Sequence, residues 1–90
     1  MYDARIVIAD SREAGRRVLR DMLVRAGYKV QAEATNAPDL LRKTRTLFPD
    51  LVILDANLEG GSAVEIAGII DGDNICSILV ITDNIHKRNM

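Results

Sequence analysis

Asp10 and Asp55 each end a four-residue apolar run, Ile6-Val7-Ile8-Ala9 and Leu51-Val52-Ile53-Leu54. An aspartate can attack phosphorus as a nucleophile when a divalent cation offsets the charge on both reactants. Mg²⁺ suits that task because it binds through one or two carboxylates, waters and phosphate oxygens. Asp55 is the candidate nucleophile and Asp10 the second carboxylate. Thr82 closes a third apolar run, Ile78-Leu79-Val80-Ile81, and its hydroxyl could donate to a phosphoryl oxygen near Asp55. Each residue alone has a plainer reading. An aspartate after a strand often caps the next helix, and threonine is common in strands.

These groups can act together only if the fold gathers them. A short run rich in Ile and Val reads as a strand buried on both faces of a parallel sheet. Open α/β sheets place their binding crevices beyond the carboxyl ends of such strands. The patterning predicts strands at 5–10, 28–34, 51–55 and 75–82, alternating with helices at 12–26, 38–48 and 63–70. In the first helix Ala14, Val18, Met22 and Ala26, flanked by Leu19 and Leu23, form a stripe of helical period. Gly27 supplies its stop. Segment 28–34 alternates, with Val30, Ala32 and Ala34 on one side and Lys29, Gln31 and Glu33 on the other, which marks a half-exposed edge strand. Asn36 caps the second helix, Pro38 sits in its first turn and Pro49 ends it. Ser62 caps the third, which Asp71-Gly72-Asp73 closes. Strand alternating with helix implies right-handed crossovers and a doubly wound parallel sheet with helices on both faces.

At 90 residues, 48% hydrophobic and 28% charged, the chain has the composition of one small globular domain. No apolar run reaches the length of a membrane span, and the first residues lack the basic-then-apolar pattern of a signal peptide. Cys76, without a partner cysteine, points to a reducing, cytoplasmic setting and reads as a small core residue. His86 has no companions at metal-ligand spacing, and three aromatic residues offer no stacking platform for nucleic acid. A net charge of −1 supports neither a nucleic-acid nor a membrane partner. The charge is uneven, with nine basic and four acidic residues over 11–46, then two basic and seven acidic from 47 onward. That asymmetry is either a solvated helix face or a docking surface for an acidic protein.

In this order the motifs resemble the receiver domain of bacterial two-component response regulators. The matching pieces are Ile8-Ala9-Asp10-Ser11, Arg25-Ala26-Gly27-Tyr28, Pro49-Asp50-Leu51-Val52-Ile53-Leu54-Asp55, Asn57-Leu58-Glu59-Gly60-Gly61-Ser62 and Ile78-Leu79-Val80-Ile81-Thr82. The resemblance implies strand order 2-1-3-4-5, with the switch point between strands one and three. It implies Asp55 as phospho-acceptor, with Mg²⁺ held by Asp10, Asp55 and the backbone carbonyl of Asn57. Thr82 would be the hydroxyl that follows the phosphoryl group. The arginines at 12, 16, 17 and 20 match a region that the family uses to dock histidine kinases. An output domain beyond the receiver is a common companion in this family.

The chain departs from the family pattern in several places. Ser11 stands where the family carries the second acid of a pair, so its place in a metal site is doubtful and divalent binding is weakened. Glu59 replaces a common proline and Ala63 a common glycine. The strand-five lysine and switching aromatic have no counterpart, and Lys87 does not replace that lysine by position. The reading therefore divides the chain into a receiver at 1–82, incomplete at its C-terminal end and lacking strand five, and a polar tail at 83–90. An apolar last strand at a sheet edge predicts a homodimer or strand-exchanged oligomer. Three functions compete: a phosphorylated switch that is not an enzyme beyond catalysing its own phosphotransfer, a phosphorylation-deficient interaction or dimerisation module, and a small phosphatase. The last expects an acid two residues after its nucleophile, where Asn57 stands.

Overall fold

The apolar runs that end on aspartates become the two central strands of a parallel sheet, and burial on both faces holds them there. The computed structural model describes residues 4–82. Its elements are β1 (Arg5–Ala9), α1 (Glu13–Arg25), β2 (Lys29–Ala34), α2 (Ala37–Leu47), β3 (Leu51–Asp55), α3 (Ala63–Gly72) and β4 (Ser77–Ile81). All pairings are parallel and the order is β2-β1-β3-β4. Ala9 lies beside Leu54, so the two chains leave the sheet together and Asp10 and Asp55 emerge at one edge. Asp55 in turn lies beside Ile81 on β4.

Alternation along the central strands builds two cores. Val7, Ala9, Val52 and Leu54 pack with Leu40 of α2 and with Ile66 and Ile70 of α3. Ile6, Ile8 and Ile53 point the other way and pack with Leu19 and Leu23 of α1. The sheet is thus doubly wound, as expected. The packing edge of α1 is narrower than its predicted stripe, however: Val18 and Met22 are each 61% exposed.

The expected single apolar side of β2 is corrected by a bulge. Ile6 pairs with Val30 but Val7 pairs with Ala32, so Gln31 is an extra residue in the strand. Side chains alternate with a period of two, so one inserted residue moves everything beyond it to the opposite face. Val30 joins the α1-side core while Ala32 and Ala34 join the other. Glu33 consequently lands on the α1 side, where Arg16 and Arg20 grip it at 3.2 and 2.8 Å.

Element ends follow local chemistry. Asn36 and Ser62 cap α2 and α3 as their types predict, accepting from the backbone N–H groups of Asp39 and Glu65. Phe48 takes a left-handed conformation and stops α2 one residue early. Helix α3 runs past Ile70 to Gly72, and the left-handed Asn74 then delays β4 until Ser77. Among the described residues β4 is an edge, with Leu79, Val80 and Ile81 all exposed. His86, Lys87 and the rest of the expected tail lie outside the described residues.

Candidate functional site

Asp10 and Asp55 sit side by side at the carboxyl edge of β1 and β3, each only 8% exposed. Neither serves simply as a helix cap. The N-cap of α3 is Ser62, seven positions beyond Asp55, and the N-cap of α1 is Arg12. Asp10 Oδ1 accepts from the backbone N–H of Arg12 at 2.8 Å. The backbone N–H of Asn57 donates to the Asp55 carboxylate. Burial, reinforced by the neighbouring Asp10 carboxylate, pushes the Asp55 pKa up against the opposing pull of Asn57 and Arg12. Thr82 follows the Asp55–Ile81 pair by one residue and so reaches the same edge. The structure thereby gathers Asp10, Asp55, Asn57 and Thr82 at one end of the sheet.

Ser11 occupies a different place in that arrangement. Its hydroxyl donates to the Thr35 carbonyl and accepts from the Glu59 N–H, both at 2.9 Å. It ties together the loops that leave β1, β2 and β3. A second tie lies beside it, where the Ala37 N–H donates to the Glu59 carbonyl at 2.8 Å. Gly60 makes this closeness feasible: its φ is +94°, and a Cβ there would lie 2.9 Å from Pro38 Cδ and 3.2 Å from the Ala37 nitrogen. Ser11→Ala leaves both loop groups without their partner. The expected cost is about 1 kcal/mol of stability, read from the denaturant midpoint at unchanged slope. An unchanged midpoint would mean that water replaces the hydroxyl without loss.

Two residues of the pocket escaped the sequence reading. Arg12 extends its guanidinium to the acid pair, with Nε 3.3 Å from Asp10 Oδ1 and Nη2 4.0 Å from Asp55 Oδ2. Gly15 lets α1 lie close against Asp10, since a Cβ there would collide with Asp10 Oδ2. Glycine inside a helix, where alanine is favoured by about 1 kcal/mol, was the available signal for a close approach. For Arg12 no local signal existed. Three arginines of α1 are also engaged within the chain: Arg16 with Glu33 and the Asp10 carbonyl, Arg17 with Glu13, and Arg20 with Glu33. The basic stripe is therefore largely neutralised in place.

Beside the acids lies a mainly apolar hollow of about 420 Å³, walled by Val18, Leu19 and Met22 of α1 and by Ile53 and Ile81 of the sheet. The remaining singled-out residue, Cys76, is half-buried beside the α3-side core, and burial pushes its thiol pKa up.

The acid pair fits a hard divalent cation by donor type, with two buried carboxylates that already draw a cationic group to them. Asp10, Asp55 and the Asn57 carbonyl would hold such an ion. The set is lean, because among the described residues no three His, Cys, Asp or Glu side chains gather at one point.

A parallel sheet of order 2-1-3-4 with an acid pair at its switch point defines the class, a doubly wound flavodoxin-like receiver fold. The family follows from the sequence: the response regulator receiver domain model matches residues 6–90, and this chain belongs to that family. It is similar to the chemotaxis protein CheY of Thermotoga maritima, 37% identical over 54 residues, covering 60% of this chain and 45% of that protein. The protein-glutamate methylesterase/protein-glutamine glutaminase of Natronomonas pharaonis is 33% identical over 76 residues, covering 84% of this chain and 21% of the enzyme. The chain thus spans less than half the length of either curated relative. Among solved structures, a LuxR-family two-component response regulator from Aurantimonas sp. SI85-9A1 superposes with a TM-score of 0.81 at 34% identity, covering 90% of this chain and 59% of that one. The response regulator PhyR from Brucella abortus shares the fold with a TM-score of 0.85 at 22% identity, covering 97% and 36%. No helix among the described residues is long and apolar enough to cross a membrane.

Proposed function

We propose that this receiver domain accepts a phosphoryl group on Asp55 from the phosphohistidine of a histidine kinase, and that the added charge switches a protein-interaction surface around Thr82. The observation that supports this reading is the convergence of Asp10 and Asp55 at the carboxyl edge of adjacent parallel strands. In the transfer, an Asp55 carboxylate oxygen forms the bond to phosphorus while the bond from phosphorus to the imidazole nitrogen breaks. The bonding electrons remain with the imidazole. Mg²⁺, when bound, supplies charge neutralisation between the carboxylates and the phosphoryl oxygens. The Asn57 N–H orients the Asp55 carboxylate, Asp10 holds the cationic side of the pocket, and the Thr82 hydroxyl donates to a phosphoryl oxygen. The domain is a phosphorylated substrate rather than a turnover enzyme.

In this reading residues 1–82 are the receiver unit and 83–90 a tail. The chain works in the cytoplasm and, in an intact regulator, controls an output domain such as a transcription factor. Incubation with beryllium fluoride and Mg²⁺ is expected to give a stable one-to-one adduct in native mass spectrometry. No adduct at millimolar Mg²⁺ sinks the phospho-acceptor reading.

The second reading is a pseudo-receiver that works as an interaction module without phosphorylation. Two observations favour it: the Ser11 hydroxyl is committed to the loops, and an arginine lies against the acids. Sedimentation supports that module if the protein self-associates through the exposed β4 edge while taking up no phosphoryl group.

A further inference from the structure

We propose that Arg12 is a resident counter-cation of the Asp10–Asp55 pair, standing where a divalent ion would otherwise bind and holding the affinity for that ion low. The inference rests on the phospho-acceptor reading of the pocket but is measurable without it. Three observations carry it. First, the contact is forked: Nε and Nη2 of Arg12 reach Asp10 Oδ1 and Oδ2 at 3.3 and 3.4 Å, and Nη2 also lies 4.0 Å from Asp55 Oδ2. A planar guanidinium matches carboxylate oxygens in this geometry and matches phosphoryl oxygens equally well.

Second, the two acids are nearly buried whereas 61% of the Arg12 side chain is exposed. Its backbone is fixed by the N–H bond to Asp10 Oδ1 at 2.8 Å, so the side chain enters the pocket from solvent and can leave it without unfolding α1. Third, Ser11, between Asp10 and Arg12, brings no charge to the pocket, and its hydroxyl is engaged with Thr35 and Glu59. Among the described residues the pocket thus carries two carboxylates and one guanidinium, leaving a single net negative charge to attract a metal ion. Arg16 does not share this role: its Nη1 donates to the Asp10 backbone carbonyl and its Nε to Glu33.

A divalent ion entering this pocket must displace the guanidinium or share the carboxylates with it. Like charges repel strongly at these distances in a partly desolvated site. An incoming phosphoryl group, by contrast, meets an arginine already in position to pair with its oxygens.

The test compares the wild-type protein with Arg12→Ala and Arg12→Lys. Mg²⁺ is titrated by calorimetry, and acyl-phosphate formation from acetyl phosphate is followed by mass spectrometry with and without a chelator. Because Arg12 is an exposed side chain, the variants are expected to fold, and a circular dichroism melt checks this. Arg12→Ala is expected to bind Mg²⁺ about tenfold more tightly than wild type, with Arg12→Lys in between. Equal or weaker binding in Arg12→Ala, or no binding in either protein, overturns the proposal. Failure of all three proteins to form acyl-phosphate overturns the phospho-acceptor reading instead, and the calorimetry still decides the role of Arg12.

Discussion

Asp55→Asn is expected to take up no phosphoryl group from acetyl phosphate or from a phosphorylated kinase, and to melt higher than the parent at neutral pH. The first effect follows from chemistry: an amide carries no anionic oxygen to form the bond to phosphorus. The parent should gain the mass of one phosphoryl group and the variant none. The second effect follows from where the carboxylate lies. Burial and the Asp10 charge raise the Asp55 pKa above its ordinary 3.8, so the folded state binds this proton more tightly than the unfolded chain. The resulting stability is fully present below pH 3.8 and is lost as pH rises through the raised folded value. Above the raised folded value the parent therefore keeps a buried, unwelcome charge that asparagine removes while filling nearly the same volume. The gain should appear as a higher melting temperature at pH 7. It should shrink as the pH falls toward the ordinary carboxylate value. Equal melting temperatures at pH 7 would mean that Arg12 and the Asn57 N–H already compensate the charge in full. Uptake of phosphate by Asp55→Asn would place the acceptor elsewhere.

Leu54→Ala is expected to bring the domain close to unfolding. Leu54 has no solvent exposure and lies on a central strand, beside Ala9 and Val80, one residue before Asp55. Its side chain packs in the core beneath α2 and α3. Removing such a side chain costs about 2–5 kcal/mol, through lost transfer free energy and the cavity left behind. Domains have only about 5–15 kcal/mol in total, and a core this small stands toward the lower end. The denaturant midpoint should drop steeply, because β3 is both the centre of the sheet and the floor of the pocket. Leu54→Met, which nearly conserves volume, should cost less than about 1.5 kcal/mol. The exposed Val64 serves as the control: its truncation to alanine should stay within about 0.5 kcal/mol of the parent. A Leu54→Ala midpoint as high as that of Val64→Ala would contradict the packing described for β3.

Alternation and runs made most of the fold legible in the sequence. Ile6 to Ala9 and Leu51 to Leu54 could be read as interior strands because uninterrupted apolar residues need cover on both faces. Asn36 and Ser62 could be read as caps because their side chains satisfy helix N–H groups only a few residues away. All of these are short-range rules. The β2 bulge broke one of them: whether Gln31 counts as a paired residue depends on the neighbouring strand, not on β2 alone. The exposed Val18 and Met22 are a similar case, since helical period places them on an apolar stripe but only the packing of α1 decides how much of that stripe is covered.

The site divides along the same line. Sequence alone determined that Asp10 and Asp55 close two strands, that Thr82 closes a third and that the chain is a receiver. Strand period, strand order and motif succession carry that information. Tertiary structure decided what surrounds the acids. Ser11 meets Glu59 across 48 positions of chain, and Arg12, at the start of α1, reaches an aspartate at the end of β3. Partners so far apart in sequence are chosen by strand register and loop approach. Those distances also determine whether a cation-seeking pocket awaits a metal ion or already holds an arginine.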